Sequence, residues 1–116
     1  MPLLRLQTST PVDETLGEEL LAELSRATAE ALSKPEQYMM VILEDRMPLL
    51  LGGSREPAAL AEVRSVGTIS ADQARAISEL VTALLGDKLG LSAARIYLNF
   101  AGVPGAMWGF NGSTFG

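Results

Sequence analysis

The chain has 116 residues, 47% of them hydrophobic and 20% charged, with a formal net charge of −5; this length fits one domain, and so large an apolar share favours buried contacts between subunits. The nine Lys and Arg residues are scattered, which excludes the concentrated basic surface of a nucleic-acid-binding protein. Cys and His are absent and no acidic cluster occurs, which excludes disulfides, thiolate and imidazole catalysis and the usual metal sites.

The first half of the chain predicts a strand, a helix and a second strand. Residues 3–8 read as the first strand, and residues 10–35 carry apolar residues at helical spacing, so they predict an amphipathic helix that stops near Pro35. The run YMMVILED (38–45) is continuously apolar and too short for a helix, which predicts a buried strand. The stretch MPLLLGGS (47–54) predicts a short strand and a glycine turn.

The second half predicts the same order of elements. LAEVRSVGTI (60–69) reads as a strand, and Ser70 with Gln73 forms a capping-box pattern before a second apolar-periodic helix. Gly90 is placed to end that helix. RIYLNFAG (95–102) predicts the last strand, which a tail rich in glycine and aromatic residues follows.

Strand, long helix and strand therefore occur twice, in pseudo-repeats of about 1–58 and 59–116 within a single domain. Crossovers of this length join parallel strands, so the prediction is an α+β fold with a mixed four-stranded sheet and both helices on one face. The second strand is apolar on both of its faces. We expect neighbouring subunits to cover the face of the sheet that the helices leave open.

The sequence shows no membrane-spanning segment and no signal peptide. No stretch reaches membrane-spanning length, and the N-terminus lacks a basic region followed by an apolar run. We therefore expect a cytoplasmic protein without membrane contacts, with export by a non-classical route left open. The tripeptide Asn111-Gly112-Ser113 matches a glycosylation pattern, but it has no meaning in that compartment.

Residues that could carry chemistry also have ordinary explanations. Pro2 is tolerated at the start of a strand, and Lys34 is a favourable cation at the end of a helix. Tyr97 and Asn99 lie two apart on a strand and so share a face, where ordinary contacts between subunits would explain each of them nearly as well. Aromatic residues near the second strand and in the tail would pass for core or for a lined cavity.

Six short motifs together are more specific than any one of them. They are Met1-Pro2, Lys34-Pro35-x-Gln37-Tyr38, Gly52-Gly53-Ser54-x-Glu56-Pro57, Ser65-Val66-Gly67, Tyr97-x-Asn99 and Asn111-x-Ser113-Thr114-Phe115. In this order the chain resembles, over essentially its whole length, the macrophage migration inhibitory factor family of the tautomerase superfamily, as a microbial-type member. The resemblance implies a homotrimer with active sites between subunits, which tautomerises aryl pyruvates such as phenylpyruvate and uses the amino-terminal proline as general base.

The resemblance also implies a role for each site residue. Pro2, freed by removal of Met1, would be the base, because an apolar pocket and a nearby cation lower the pKa of an amine from its usual value near ~8. Lys34 would bind the carboxylate of the α-keto acid substrate, and no cofactor is needed. The remaining substrate-binding residues would be Ser65, the backbone amide of Val66, Tyr97 and Asn99 at the reacting oxygen, and Tyr38, Trp108, Phe110 and Phe115 around the aryl ring.

Two departures from the family pattern affect function. Residues 57–61 read Pro-Ala-Ala-Leu-Ala where many members carry Cys-x-x-Cys, so thiol-disulfide chemistry is excluded. Phe110 stands where the family usually has tryptophan, and Trp108 stands where a smaller apolar residue is common, which leaves substrate preference open.

Two other functions stay open at this point. One is a cytokine-like signalling or interaction protein with an unused pocket, whose receptor the sequence does not identify. Receptor binding would survive a retained Met1, whereas catalysis by the Pro2 amine would not. The other is proline-dependent dehalogenation or decarboxylation, which needs additional Arg or Glu near the amine, and Arg5 alone is weak support for it.

Overall fold

The computed structural model describes residues 1–116. The four main strands and two helices follow one another in the predicted order, and the tail adds a small hairpin. Their bounds are β1 Pro2–Thr8, α1 Glu14–Ala31, β2 Met40–Glu44, β3 Ala59–Val66, α2 Ala71–Leu89, β4 Ile96–Val103, β5 Gly109–Phe110 and β6 Ser113–Thr114.

The main sheet has the strand order β2-β1-β3-β4. β1 and β2 are parallel, as are β3 and β4, while β1 and β3 pair antiparallel in the centre. The predicted mixed four-stranded sheet is therefore confirmed. In its register Pro2 lies opposite Ser65, and Ser65 lies opposite Gly102, so these three residues mark one end of the sheet.

Alternation along the strands separates a covered face from an open one. On β1, Leu4 and Leu6 are fully buried, whereas Arg5 between them is exposed. Leu20 of α1 and Val81 of α2 belong to the same buried cluster, so both helices lie on one face, as predicted. Burial of each such side chain stabilises the fold by about 1.5–3 kcal/mol.

The helix ends follow the sequence signals. The Asp13 side chain accepts from the Leu16 amide at 2.8 Å, which caps α1. The predicted capping box between Ser70 and Gln73 is present at the start of α2. Gly90 ends α2 in the left-handed conformation, with φ of 69°, which glycine adopts without the steric cost of a Cβ. α1 ends before Pro35, as predicted, and the chain then turns back towards the sheet.

The short strand predicted in residues 47–54 is wrong. This segment forms only a bridge between Leu51 and Ser54 around the predicted glycine turn. A strand needs a hydrogen-bonding partner along its edge, and a single chain offers residues 48–50 none.

The second strand is apolar on both faces, but one chain covers only one of them: Met40 and Ile42 are 59% and 38% exposed.

The tail folds on itself as a hairpin. Asn111 and Gly112 both have positive φ, 52° and 78°, which is the backbone of a tight type I′ turn between β5 and β6. The Phe115 amide donates to the Gly105 carbonyl at 3.0 Å and holds the end of the tail in place.

Neither main helix is long and apolar enough to cross a membrane.

Candidate active site

Pro2 begins β1 at one end of the sheet, and its side chain is fully buried on the covered face. It borders a cavity of about 300 Å³. The other walls come from the short segment before β2 and from the tail, mainly Gln37, Tyr38, Met39, Trp108 and Phe110. Segments far apart in the sequence therefore meet around Pro2.

Lys34 reaches the same end of the sheet. It follows α1 directly, and its Nζ donates to the Val66 carbonyl on β3 at 3.4 Å. Lys34 makes no ion pair, and its ammonium hydrogen-bonds to the sheet and not to the carbonyls of its own helix. The favourable helix-end role therefore does not account for where this charge lies.

The end of β3 presents the backbone groups next to Pro2. The Val66 amide donates to the Met1 carbonyl at 3.1 Å. Ser65 is buried, and its Oγ donates to the Val66 carbonyl at 3.4 Å. With Met1 present, the amide that the resemblance assigns to a substrate carboxylate is therefore occupied by the chain's own first residue.

The amine of Met1 lies in an environment that disfavours its charge. Burial lowers its pKa from the usual value of 8.0, and the nearby charge of Lys34 lowers it further. Met1 lines the same cavity as Pro2, so both influences act beside Pro2. An amine at this end of the sheet is thus more often neutral, and so more available as a base, than one in water.

Three aromatic rings form one contact chain at the cavity mouth. Tyr38 meets Phe110 edge-on with ring centres 6.4 Å apart, and Phe110 stacks on Phe115 at 5.9 Å. These rings are 42–52% exposed, so they form a rim and not a core. Trp108 is half-buried and lines the same cavity.

Tyr97 and Asn99 lie elsewhere on the sheet. Both are exposed on its open face, and Tyr97 precedes Gly102 by five residues on β4, which is roughly 16 Å along the strand from the Pro2 end. Tyr97 instead borders a second cavity of about 280 Å³ whose walls include Leu49, Leu50 and Leu60. A single chain therefore does not bring the predicted oxygen-binding pair to Pro2.

Sequence reasoning missed two features around these residues. Arg95 inserts its guanidinium among backbone carbonyls of the loop before β3, and an Arg at the first position of the predicted last strand was the only available signal. Arg5 pairs with Glu44 at 2.7 Å on the open face, which raises the pKa of Arg5 through that hydrogen bond.

No group of three or more acidic side chains lies close enough to share a metal ion.

A sequence model of the family described as macrophage migration inhibitory factor matches residues 1–116. The chain belongs to the macrophage migration inhibitory factor family. It is 38% identical over 115 residues to the macrophage migration inhibitory factor of Meriones unguiculatus, with 99% of each chain covered, and 30% identical to the Brugia malayi homologue over the full length of both.

Solved structures agree with this membership. The macrophage migration inhibitory factor homologue from Prochlorococcus marinus has a TM-score of 0.92 and 41% identity, with 98% of this chain and 99% of that chain covered. The macrophage migration inhibitory factor from Trichinella spiralis has a TM-score of 0.87 at 32% identity, covering 97% and 99% of the two chains. The fold is thus that of the tautomerase superfamily, which supports an isomerase-type enzyme or a function like that of other family members.

Proposed function

We propose that this chain is a keto-enol tautomerase of aryl pyruvates such as phenylpyruvate and that Pro2, once Met1 is removed, is its general base. The observation that carries the proposal is the cluster of Pro2, Lys34 and the Val66 amide at one end of the sheet. A base, a cation and a backbone donor are the groups that proton transfer next to a carboxylate and a ketone needs.

Removal of Met1 would change two groups at once. It turns the Pro2 nitrogen from an amide into a secondary amine, and it releases the Val66 amide from the Met1 carbonyl. The substrate carboxylate would then take the place of that carbonyl, between the Val66 amide and the Lys34 ammonium, with Ser65 beside it. Burial and the charge of Lys34, which lower the pKa of the Met1 amine, would act on the Pro2 amine in the same direction.

The substrate ring would lie at the rim formed by Tyr38, Trp108, Phe110 and Phe115, where aromatic faces and edges are available for stacking. The Pro2 amine removes a proton from the carbon next to the ketone. The resulting ammonium then returns a proton to the oxygen, which completes the enol with no net change of protons on the enzyme.

The developing oxygen charge would be held by Tyr97 and Asn99 of a neighbouring subunit, because both residues lie far from Pro2 in one chain. This arrangement requires an oligomer, and we propose a homotrimer. The exposed Met40, Ile42 and Leu50 supply apolar surface for its contacts. Light scattering at micromolar concentration should return the trimer mass; a monomer mass would overturn the intersubunit site.

The decisive experiment compares processed protein that begins at Pro2, a form that retains Met1, and a processed form with Pro2→Gly. Processed protein should interconvert phenylpyruvate tautomers fastest, and the glycine form should keep part of the rate through its primary amine. The Met1 form should lose roughly 10²- to 10⁴-fold, which is the usual contribution of a general base. Equal rates for the processed and Met1 forms would refute Pro2 as the base.

Acetylation of the N-terminal amine provides the control. It is needed because the Met1 form still has a terminal amine with a lowered pKa, on Met1 and not on Pro2. Acetylating that amine should abolish any residual rate of the Met1 form. Acetylating processed protein should reduce its rate to the same level. Intact mass before each assay identifies which form is present.

A second candidate is a signalling or interaction protein, which the names of the relatives favour, since they are called macrophage migration inhibitory factors. The same three forms separate the two functions. A signal that is equal for the processed and Met1 forms would not depend on the Pro2 amine, whereas the tautomerase rate would differ between them.

A further inference from the structure

Arg95 makes an unusual set of contacts just before β4. Its Nη1 donates to the Leu51 carbonyl at 2.8 Å, and its Nη2 donates to the carbonyls of Ser54 at 3.1 Å and Glu56 at 2.7 Å. Its Nε donates to the Pro57 carbonyl at 3.4 Å. One half-buried guanidinium thus binds four carbonyls of a single loop and has no carboxylate partner.

That loop has few other connections. Leu51 and Ser54 bond to each other, and the Glu56 amide donates to the Ser54 hydroxyl, but these bonds lie within the loop. Every hydrogen bond between residues 51–57 and the rest of the chain comes from Arg95. Arg95 is therefore the side chain whose hydrogen bonds tie this loop to the start of β4.

Leu51, the first residue of the loop, lines the same cavity as Tyr97. Residues 49–51 line it from one side, and Leu60, the cross-strand neighbour of Tyr97, lines it from the other. Tyr97 is 60% exposed, so few side chains of its own strand restrict its ring. Arg95 lies two residues before Tyr97 and links the strand that carries Tyr97 to the loop that faces it.

We propose that Arg95 is a positioning residue that fixes residues 51–57 against β4 and thereby holds the Tyr97 side chain in its working orientation. The inference rests on the proposed function, in which Tyr97 contacts the reacting oxygen in a neighbouring subunit. Arginine is suited to this role because its planar fork holds several acceptors at once, whereas lysine is a point donor on a flexible stem.

The test combines Arg95→Lys with Tyr97→Phe in processed protein. Arg95→Lys keeps the charge and should lower kcat for phenylpyruvate roughly tenfold, because small misplacements of a reacting contact are costly. In the Tyr97→Phe background the same change should have less than about a twofold effect, since Arg95 acts through the hydroxyl already removed. Effects that multiply in the double variant would overturn the proposal.

Arg75→Lys is the matched control. Arg75 lies on the exposed surface of α2 and pairs with Asp72, so the same chemical change there should leave kcat unaltered. All variants are compared at a concentration at which light scattering gives the wild-type mass. A lower Tm for Arg95→Lys with unchanged kcat would mean that Arg95 only stabilises the fold, which also overturns the proposal.

A measurement without substrate separates this inference from the proposed function. The chain has two tyrosines, so ring-labelled tyrosine gives two NMR signals, with Tyr38 as the internal reference. Arg95→Lys should shift or broaden the Tyr97 signal, leave Tyr38 unchanged, and speed hydrogen exchange in residues 51–57. If wild-type protein lacks tautomerase activity, the proposed function fails, and an unchanged Tyr97 signal would then overturn the positioning role as well.

Discussion

The two ends of the central sheet differ in how complete they are. At one end, Pro2 is buried and borders a cavity that the tail helps to wall, and Lys34 reaches across to β3. At the other end, Tyr97 and Leu50 are 60% and 63% exposed around a shallow apolar cavity. At the first end the chain buries Pro2 by itself. At the second end apolar and aromatic side chains stay exposed in a single chain.

Under the proposed function, this difference means that one chain would carry two incomplete halves of a site. Once Met1 is removed, the Pro2 end would supply a base, a cation and an amide donor, but it has nothing that contacts the oxygen of a substrate ketone. The Tyr97 end has side chains that could bind an oxygen but no base, and it lies roughly 16 Å away along the sheet. Two copies that bring opposite ends together would complete both the site and the apolar surface.

The largest expected effect is complementation between two impaired proteins. The Met1-retaining form lacks the Pro2 amine, and processed Tyr97→Phe lacks one oxygen donor. In a mixed cyclic trimer one of the three sites would pair an intact Pro2 with an intact Tyr97, so random 1:1 mixing should restore about a quarter of wild-type activity. Activity is measured with phenylpyruvate after the two proteins are unfolded and refolded together.

Refolding each protein alone is the control for this experiment. The gain should appear only in the mixture and should depend on subunit exchange. A mixture that is no more active than the average of its components would mean that Pro2 and Tyr97 act from the same subunit or that Tyr97 takes no part.

Lys34→Ala tests the Pro2 end alone. Loss of a charge-assisted contact with the substrate carboxylate costs about 1.5–3 kcal/mol and should appear mainly as a higher KM. The substitution also removes one of the two influences that lower the pKa of the amine, so the rise of rate with pH should move to higher pH. Burial remains, so the inflection should stay below ~8.

Lys88→Ala is the matched control for that substitution. Lys88 is the basic residue in the last turn of α2, and its ammonium lies near Glu19 and Glu23 of α1. Its removal should change neither KM nor the pH profile. An unchanged kcat/KM for Lys34→Ala would mean that Lys34 takes no part in substrate binding.

The smallest expected effect concerns the rim. Phe110→Ala removes the ring that contacts both Tyr38 and Phe115, so KM for phenylpyruvate should rise roughly fivefold, in line with about 0.5–1.5 kcal/mol for an aromatic pair. KM for an aliphatic α-keto acid should stay constant. Met107→Ala, at a tail side chain that is 74% exposed, is the control. Equal losses for both substrates would contradict an aryl-binding rim.

Local signals made much of the fold predictable. The capping box of Ser70 and Gln73 and the stop at Gly90 depend on residues within a few positions of each other, and both occur as predicted. The short strand in residues 47–54 failed because strand formation depends on a partner edge, which no local pattern specifies. Arg95 was missed for the same reason, since its acceptors lie about forty residues earlier in the chain.

The sequence by itself determined the element order, the mixed sheet and the motifs that assign the chain to its family, because periodicity, caps and crossover length act within short stretches. Only the tertiary structure decided where the site residues lie. In it the Lys34 ammonium donates to the Val66 carbonyl and the Val66 amide donates to the Met1 carbonyl, while Tyr97 lies far from Pro2 along the sheet. Strand register is the physical reason: it fixes which end of the sheet each residue occupies, and no single stretch of sequence contains both partners of a pair.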